Sequence, residues 1–383
     1  MDFRFTEEQE LLRSSVRDFA RTEIGPHVMA FDEAQEFPLA LVKKAAAQGY
    51  YGVLFPENLG GAGLGYVEYV TVVEELSKVD GSIGISVAAH NSLCTNHVFV
   101  CGDDAQRKRY IPKLATGEWI GAWSLTEPTA GSDAGGTKCK AAPAPGGGWT
   151  LNGSKTFTTH GSVADLTIVF AVTDPAKEKK GISAFAIEKG TPGFRGGKKE
   201  NKMGLRASDT AEVIMQDCAL PSEAMVGARG EGFVDAMRIL DGGRISIAAL
   251  ALGMARGAYE AALAYSKQRE QFGKPISEFQ AVQHMLAEMG TRLDAASLLV
   301  YRAAWMKDQG MKTTLESSMA KLYASEIGVY VADRALQIFG GYGYVKDFPV
   351  EKFYRDMKLC TIGEGTSEIQ RLVIARELLK GLA

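Results

Sequence analysis

Apolar positions Phe5, Leu11, Leu12, Val16 and Phe19 recur at helical spacing among charged residues, which predicts an amphipathic helix near the start of the chain. Thr6 followed by Gln9 supplies a capping box for it. Pro38 to Gln48 forms a second amphipathic stretch, closed by Gly49. The run 56–65 carries Gly60, Gly61, Gly63 and Gly65 and is expected to be a loop, with further helices over Tyr66 to Lys78 and Asp104 to Thr116. Between these lie 22 residues, Gly81 to Gly102, with no Asp, Glu, Lys or Arg. Ser82, Ser86, His90, Asn91, Ser92, Thr95, Asn96 and His97 are costly in lipid, so the stretch is expected to be a buried helix and not a membrane span.

The pattern changes near Ile120. Short β-rich runs follow, at Gly121 to Leu125, Trp149 to Asn152, Leu166 to Val172, Ile182 to Glu188 and Ala211 to Met215. They are broken by turn residues at 143–148, 174–175 and 191–193, which suggests a small β-barrel or sandwich. After Gly230 the helical period returns, in long runs around Arg244 to Arg269, Ile276 to Lys307, Thr313 to Phe339 and Thr366 to Leu379. Long helices with few breaks suggest a four-helix bundle. The expected fold is mainly α with a central β domain: an N-terminal helical domain over 1–119, a β domain over 120–226 and a C-terminal helical bundle over 227–383. A doubly wound nucleotide fold would alternate strands and helices throughout.

Composition narrows the class. The 383 residues hold 43 Lys plus Arg against 46 Asp plus Glu, with 46% hydrophobic and 23% charged residues. That is too apolar for disorder and lacks the basic excess of a nucleic-acid binder. The five cysteines are scattered and form no C-x-x-C pair, which disfavours disulfides and zinc and suits a reducing, cytoplasmic setting. The opening MDFRFTEEQE has early acids and no apolar core, so no signal peptide is expected. His27, His90, His97, His160 and His284 show no metal-ligand spacing, and no metal is expected. His160 is expected to be structural or superficial. The 60–65 loop is not a dinucleotide fingerprint, because Tyr66 stands where its last glycine would be, so no nicotinamide cofactor is indicated. Glycine is in excess, at 43 residues.

One carboxylate stands out. Glu364 lies between Gly363 and Gly365, just before a helix whose start is marked by Thr366, Ser367 and Gln370, with Ser367 and Gln370 at capping-box spacing. Flanking glycines let another molecule approach the backbone. From these residues alone, a carboxylate resting at a helix N-terminus and a functional acid/base are equally open.

Five segments in order resemble the flavin-dependent acyl-CoA dehydrogenase family, of short-chain or branched-chain type. They are 125–133 (LTEPTAGSD), 153–158 (GSKTFT), 269–276 (REQFGKPI), 337–343 (QIFGGYG) and 364–370 (EGTSEIQ). The similarity spans essentially the whole chain. It implies FAD as cofactor, an acyl-CoA substrate converted to the trans-2-enoyl-CoA, an electron-transfer flavoprotein as acceptor, and a homo-oligomer, a tetramer built as a dimer of dimers. Glu364 matches the family's catalytic base. Some members carry the base on a middle helix, but the matching position here is Gly243. The resemblance places FAD contacts at Trp123, Leu125, Thr126, Gly131, Ser132, Phe157, Thr158, Thr159, Arg269, Phe272, Gln280, Gln337, Gly340, Gly341, Thr366 and Glu368. Those from Arg269 to Gly341 reach a neighbouring subunit's cofactor. It places substrate contacts at Ser132, Asp241, Arg244, Gly363 and Gly365. An i, i+3 ion pair is the plainer account of Asp241 and Arg244. Gly340 to Gly343 also end a helix. Gly363 stands where straight-chain members often carry Tyr, so short straight, branched and cyclic acyl groups all stay open. An oxidase or monooxygenase on the same fold, and a non-catalytic acyl-CoA-binding protein, are the alternatives.

Overall fold

The computed structural model describes residues 4–380. Seven helices come first: α1 (Glu7–Phe19), α2 (Val28–Ala34), α3 (Leu39–Ala47), α4 (Tyr66–Ser77), α5 (Gly81–Ala89), α6 (Asn96–Cys101) and α7 (Asp104–Ala115). The capping box on α1 forms as expected, Thr6 Oγ1 accepting from Gln9 N–H and the Gln9 side chain accepting from Thr6 N–H. The charge-free stretch is one buried helical run, α5 and α6 joined by a wide π-type turn over His90–Thr95. Such turns displace a helix face and recur at functional sites.

Eight strands follow: β1 (Gly121–Ser124), β2 (Lys140–Pro143), β3 (Trp149–Thr159), β4 (Leu166–Val172), β5 (Ile182–Glu188), β6 (Phe194–Lys199), β7 (Thr210–Leu220) and β8 (Met225–Val226). They form one mixed sheet in the order β6-β7-β3-β2-β4-β5-β8, with β1 parallel to β4 at Gly121 opposite Leu166. Strands β4 and β5 are buried on both faces. Leu166, Ile168 and Phe170 face Ile111 and Leu114 of α7, whereas Val169 and Phe185 meet Leu151 and Met215 of β3 and β7. The sheet therefore folds over onto itself in sandwich fashion, with its other side seated on the helices.

The last part is helical: α8 (Gly232–Gln268), a two-strand turn of β9 (Glu270–Gln271) and β10 (Lys274–Pro275), then α9 (Gln280–Asp308), α10 (Thr314–Phe339), α11 (Val350–Met357) and α12 (Ser367–Lys380). Helix α8 alone is long and apolar enough to cross a membrane among the described residues, yet it is the core helix. Its Ala248, Ala251, Ala255 and Ala258 are fully buried, as are Ala320, Ala324 and Ala332 on α10. Positions 320, 324, 328 and 332 form an i+4 ridge of small side chains (Ala, Ala, Gly, Ala) that permits close helix packing.

Two buried histidines anchor β1. Gly121 N–H donates to His90 Nδ1 at 3.0 Å, and Gly121 O lies 3.0 Å from His160 Nδ1. His90 Nε2 must donate to Leu114 O, 2.9 Å away, and His160 Nε2 then accepts from the Ser86 hydroxyl. Burial lowers the affinity of both rings for a proton, that of His90 to a pKa of about 3, so both are neutral. His160 is thus a buried structural residue.

Candidate active site

The site lies where α4, α8, α10 and the turn before α12 meet. Glu364 holds a left-handed backbone, φ 53°, followed by Gly365 at φ 93°. A left-handed glutamate is uncommon and needs support. Its carboxylate lies against Gly243 of α8: a Cβ added there would collide with Glu364 Oε2 and come 3.1 Å from Leu93 Cδ2. Glu364 Oε2 is closed to solvent and has no hydrogen-bond partner. Burial pushes the carboxyl up to about 7, against the opposing pull of Lys321 and Arg244. A carboxylate with that affinity is half ionised near neutrality and suited to accept a proton.

Gly243 therefore leaves room for the carboxylate, and its neighbour Gly242 leaves room for the Tyr66 hydroxyl, which a Cβ would meet at 2.6 Å. The expected result of Gly243→Ala is a stable protein with a displaced Glu364 carboxylate, since the atom in the way ends a flexible side chain. Turnover should fall by about 10²-fold, the cost of misplacing a catalytic group by an ångström. Unchanged turnover with an unchanged melting temperature would contradict this packing.

Arg244 Nη1 bonds Asp241 Oδ1 at 2.6 Å, and Asp241 Oδ2 accepts from Thr314 Oγ1 at 2.7 Å. The ion pair is not a free surface pair, because Arg244 is 7% exposed. Gly363 is open, its nearest neighbours to an added Cβ being Leu359 atoms at 3.6 Å and beyond. The cap of α12 differs from the expectation. Thr366 Oγ1 accepts from Ile369 N–H at 3.3 Å, and Ser367 Oγ has no partner. Gln370 Nε2 instead reaches Glu364 O and Gly365 O at 3.2 and 3.0 Å. Ser367 is already inside the helix, so its side chain cannot serve as the cap.

The other expected residues fall into two groups. Trp123, Leu125, Thr126, Gly131, Ser132, Phe157, Thr158 and Thr159 lie on β1, β3 and the loop after β1. The β3–β7 register shifts between Lys155 and Thr158. Phe157, at φ 55°, sits in this bulge and is 65% exposed. Thr158 faces inward, its hydroxyl 2.6 Å from Ser124 Oγ. The Thr158 hydroxyl is therefore engaged inside the sheet. Trp123 links this group to the surroundings of Gly243, packing in one apolar cluster with Leu93, Ile239 and Leu240. Lys155 and Glu127, both in the motifs but given no role, form a buried ion pair at 2.8 Å. Glu127 also accepts from Lys138 and Cys139 N–H, and the group ties the 125–139 loop to β3.

Arg269, Gly340 and Gly341 come together beyond the end of α8, with Phe272 on the turn between β9 and β10, Gln280 at the start of α9 and Gln337 near the end of α10. A cavity of about 880 Å³ there is lined by Arg269, Gly340 and Gly341 together with Tyr265, Phe339, Tyr342 and Phe348. Gly340 and Gly341 offer bare backbone, with no atom within 4 Å of an added Cβ. Phe272 is 93% exposed. A guanidinium, open backbone and exposed aromatic faces suit the phosphates and rings of a dinucleotide. Thr366 and Glu368 line a second cavity of about 340 Å³ together with Glu326, Lys358 and Ile362. The residues present fit FAD in kind. Among the described residues there is no cluster of metal-ligating side chains.

The N-terminal, middle and C-terminal domain models of acyl-CoA dehydrogenase match residues 6–118, 122–218 and 230–379. A short-chain specific acyl-CoA dehydrogenase of Clostridium acetobutylicum is 47% identical over 380 residues, 99% of this chain and all of that one. The butyryl-CoA dehydrogenase structure from Megasphaera elsdenii superposes with a TM-score of 0.97 at 43% identity, covering 99% of this chain and 100% of that one. A chain from the structural study of the electron transferring flavoprotein of Acidaminococcus fermentans gives 0.98 at 46%, with the same coverage. With three consecutive domain matches and a full-length relative in agreement, the chain belongs to the acyl-CoA dehydrogenase family of FAD-dependent oxidoreductases.

Proposed function

We propose that this protein dehydrogenates a short acyl-CoA at its α and β carbons, giving the trans-2-enoyl-CoA, with Glu364 as the base. The observation that carries this reading is Glu364 Oε2, which is buried, unpaired and held against Gly243. The α-proton of a thioester is weakly acidic, and a desolvated carboxylate has the raised affinity needed to take it. The backbone N–H of Glu364 donates to the thioester oxygen as charge develops there. Arg244, held by Asp241, supports the substrate side, and Gly363 and Gly365 leave room for it.

Bound FAD would supply the acceptor for the β-hydride. Trp123, Leu125, Thr126, Gly131, Ser132, Phe157, Thr159 and the backbone of Thr158 would hold its ring side, and Thr366 and Glu368 a part near the base. Arg269, Phe272, Gln280, Gln337, Gly340 and Gly341 would serve the cofactor of a second copy. Their distance supports this. From Gly243 to Arg269 is 26 residues, nearly all within α8, or about 39 Å, more than one dinucleotide spans. The protein is therefore proposed to be a homo-oligomer, a tetramer, working in the cytoplasm and passing electrons to an electron-transfer flavoprotein.

The test is a visible spectrum followed by a panel of acyl-CoAs with an artificial electron acceptor. Yellow protein, bleached anaerobically by a saturated acyl-CoA, is expected. Colourless protein would favour a binding protein, and rapid reoxidation by air an oxidase. In the same panel, Gly363→Tyr should reduce kcat/KM for branched and cyclic substrates about tenfold more than for butyryl-CoA, since a ring fills the open space beside the reacting carbons. Equal losses across both sets would remove Gly363 as a determinant of acyl shape.

A further inference from the structure

Two buried polar side chains outside the expected site converge on the turn that carries the base. Lys321, on α10, and Gln370, on α12, are each fully buried. Lys321 Nζ donates to Gly365 O at 2.7 Å. Gln370 Nε2 donates to Gly365 O at 3.0 Å and to Glu364 O at 3.2 Å. The Gly365 carbonyl is therefore held from two different helices, and the Glu364 carbonyl from α12. A Cβ on Gly365 would come 2.6 Å from Gln370 Nε2, so this glycine lets the amide close on the turn. We propose that Lys321 and Gln370 are positioning residues for the catalytic base, clamping the Glu364–Gly365 turn so that the carboxylate stays over Gly243.

The inference rests on the reading of Glu364 as the base. The arrangement has a physical logic. A strained left-handed turn persists only when its surroundings over-determine it. An ammonium buried without need would be costly, and here it is placed where it also faces the carboxylate. The groups facing Glu364 are Lys321 from α10, Arg244 from α8, Tyr69 from α4 and Cys360 from the turn before the base. Arg244 is already paired with Asp241. Burial lowers Lys321 to about 8, so it remains mostly cationic at neutral pH and opposes the upward push of burial on Glu364. The two clamps therefore differ: Gln370 supplies geometry alone, whereas Lys321 supplies geometry and charge.

The probe is (methylthio)acetyl-CoA, in which sulfur replaces the β-carbon, so that an α-proton can leave but no β-hydride can follow. Holoenzyme is incubated with it in D₂O, and deuterium uptake at the α-carbon is followed by mass spectrometry across pH. Flavin content and thermal melting are recorded on the same samples. Glu364→Gln should abolish exchange. Gln370→Met should slow exchange about tenfold with its acid midpoint unchanged. Lys321→Gln, which keeps a donor for Gly365 O, should move the midpoint up by about one pH unit, because the cation favouring ionised Glu364 is gone. Lys321→Arg should bring the midpoint back. If Glu364→Gln exchanges like the wild type, the base assignment falls. If Glu364→Gln is inactive while Lys321→Gln and Gln370→Met keep the wild-type rate and midpoint, the clamp alone is overturned. A loss that tracks flavin content or melting, with no midpoint shift in Lys321→Gln, would also overturn it.

Discussion

Glu364→Gln lowers turnover of butyryl-CoA by about 10²–10⁴-fold, the usual contribution of a general base, while the melting temperature stays where it was or rises slightly. The two halves of this expectation have the same origin. Glu364 Oε2 has no hydrogen-bond partner, so the amide breaks no bond at that atom. The carboxyl is pushed up to about 7 by burial, with Lys321 and Arg244 pulling the other way. Its ionised form is thus disfavoured by folding. A group whose affinity for protons is raised in the fold stabilises it when protonated and loses that contribution as pH rises through the folded value, here between about 4.5 and about 7. Gln mimics the protonated form at every pH. Turnover with an artificial acceptor and a thermal melt on the same preparation check both halves. A large loss of stability would show that Glu364 serves the fold instead.

Lys352→Met produces the largest loss of stability. Lys352 Nζ lies 2.7 Å from Asp80 Oδ1 and 2.5 Å from Asp356 Oδ2, and all three side chains are buried. Burial alone would strip the proton from Lys352, but Asp356 and Asp80 outweigh it and hold the ammonium charged. Each carboxylate has a second task. Asp80 caps α5 through Ser82 N–H at 3.1 Å, and Asp356 Oδ1 accepts from Leu205 N–H at 2.6 Å. The lysine thus joins α11, the start of α5 and the loop before β7. Methionine fills the space but leaves two buried carboxylates facing each other. Removing one partner of a buried pair costs about 3–5 kcal/mol, read as a lower midpoint in urea unfolding. An unchanged midpoint would mean that water reaches the pair.

Much of the fold was legible in local pattern. Strands β4 and β5 begin and end at the expected residues, because uninterrupted β-branched and apolar runs between turn residues leave little alternative. Strands β2 and β6 were not, since Lys140–Pro143 and Phe194–Lys199 carry Pro, Gly and Lys, and their extended form comes from pairing with β3 and β7. Helix α8 was expected from Arg244 yet begins at Gly232. Gly242 and Gly243 are poor helix formers, and the structure uses their bareness to admit Tyr66 and Glu364. Glu364, the proposed base, stands out in the sequence through its flanking glycines and the family motif. Its support does not. Lys321 lies 44 residues from Gly365, and no short-range pattern links them. Gln370 was misassigned to a capping box because Thr366 and Ser367 are adjacent and either gives a capping-type spacing.

The proposed dehydrogenation needs one buried carboxylate, poised near neutrality, to take the α-proton. The most direct measurement is the rate of anaerobic flavin bleaching by butyryl-CoA, under single-turnover conditions, from pH 5.5 to 9. The rate should fall about tenfold per unit below about pH 7, as Glu364 becomes protonated, and the little that remains in Glu364→Gln should show no such limb. A wild-type rate that stays level down to pH 5.5, or the same acid limb in Glu364→Gln, would contradict the account.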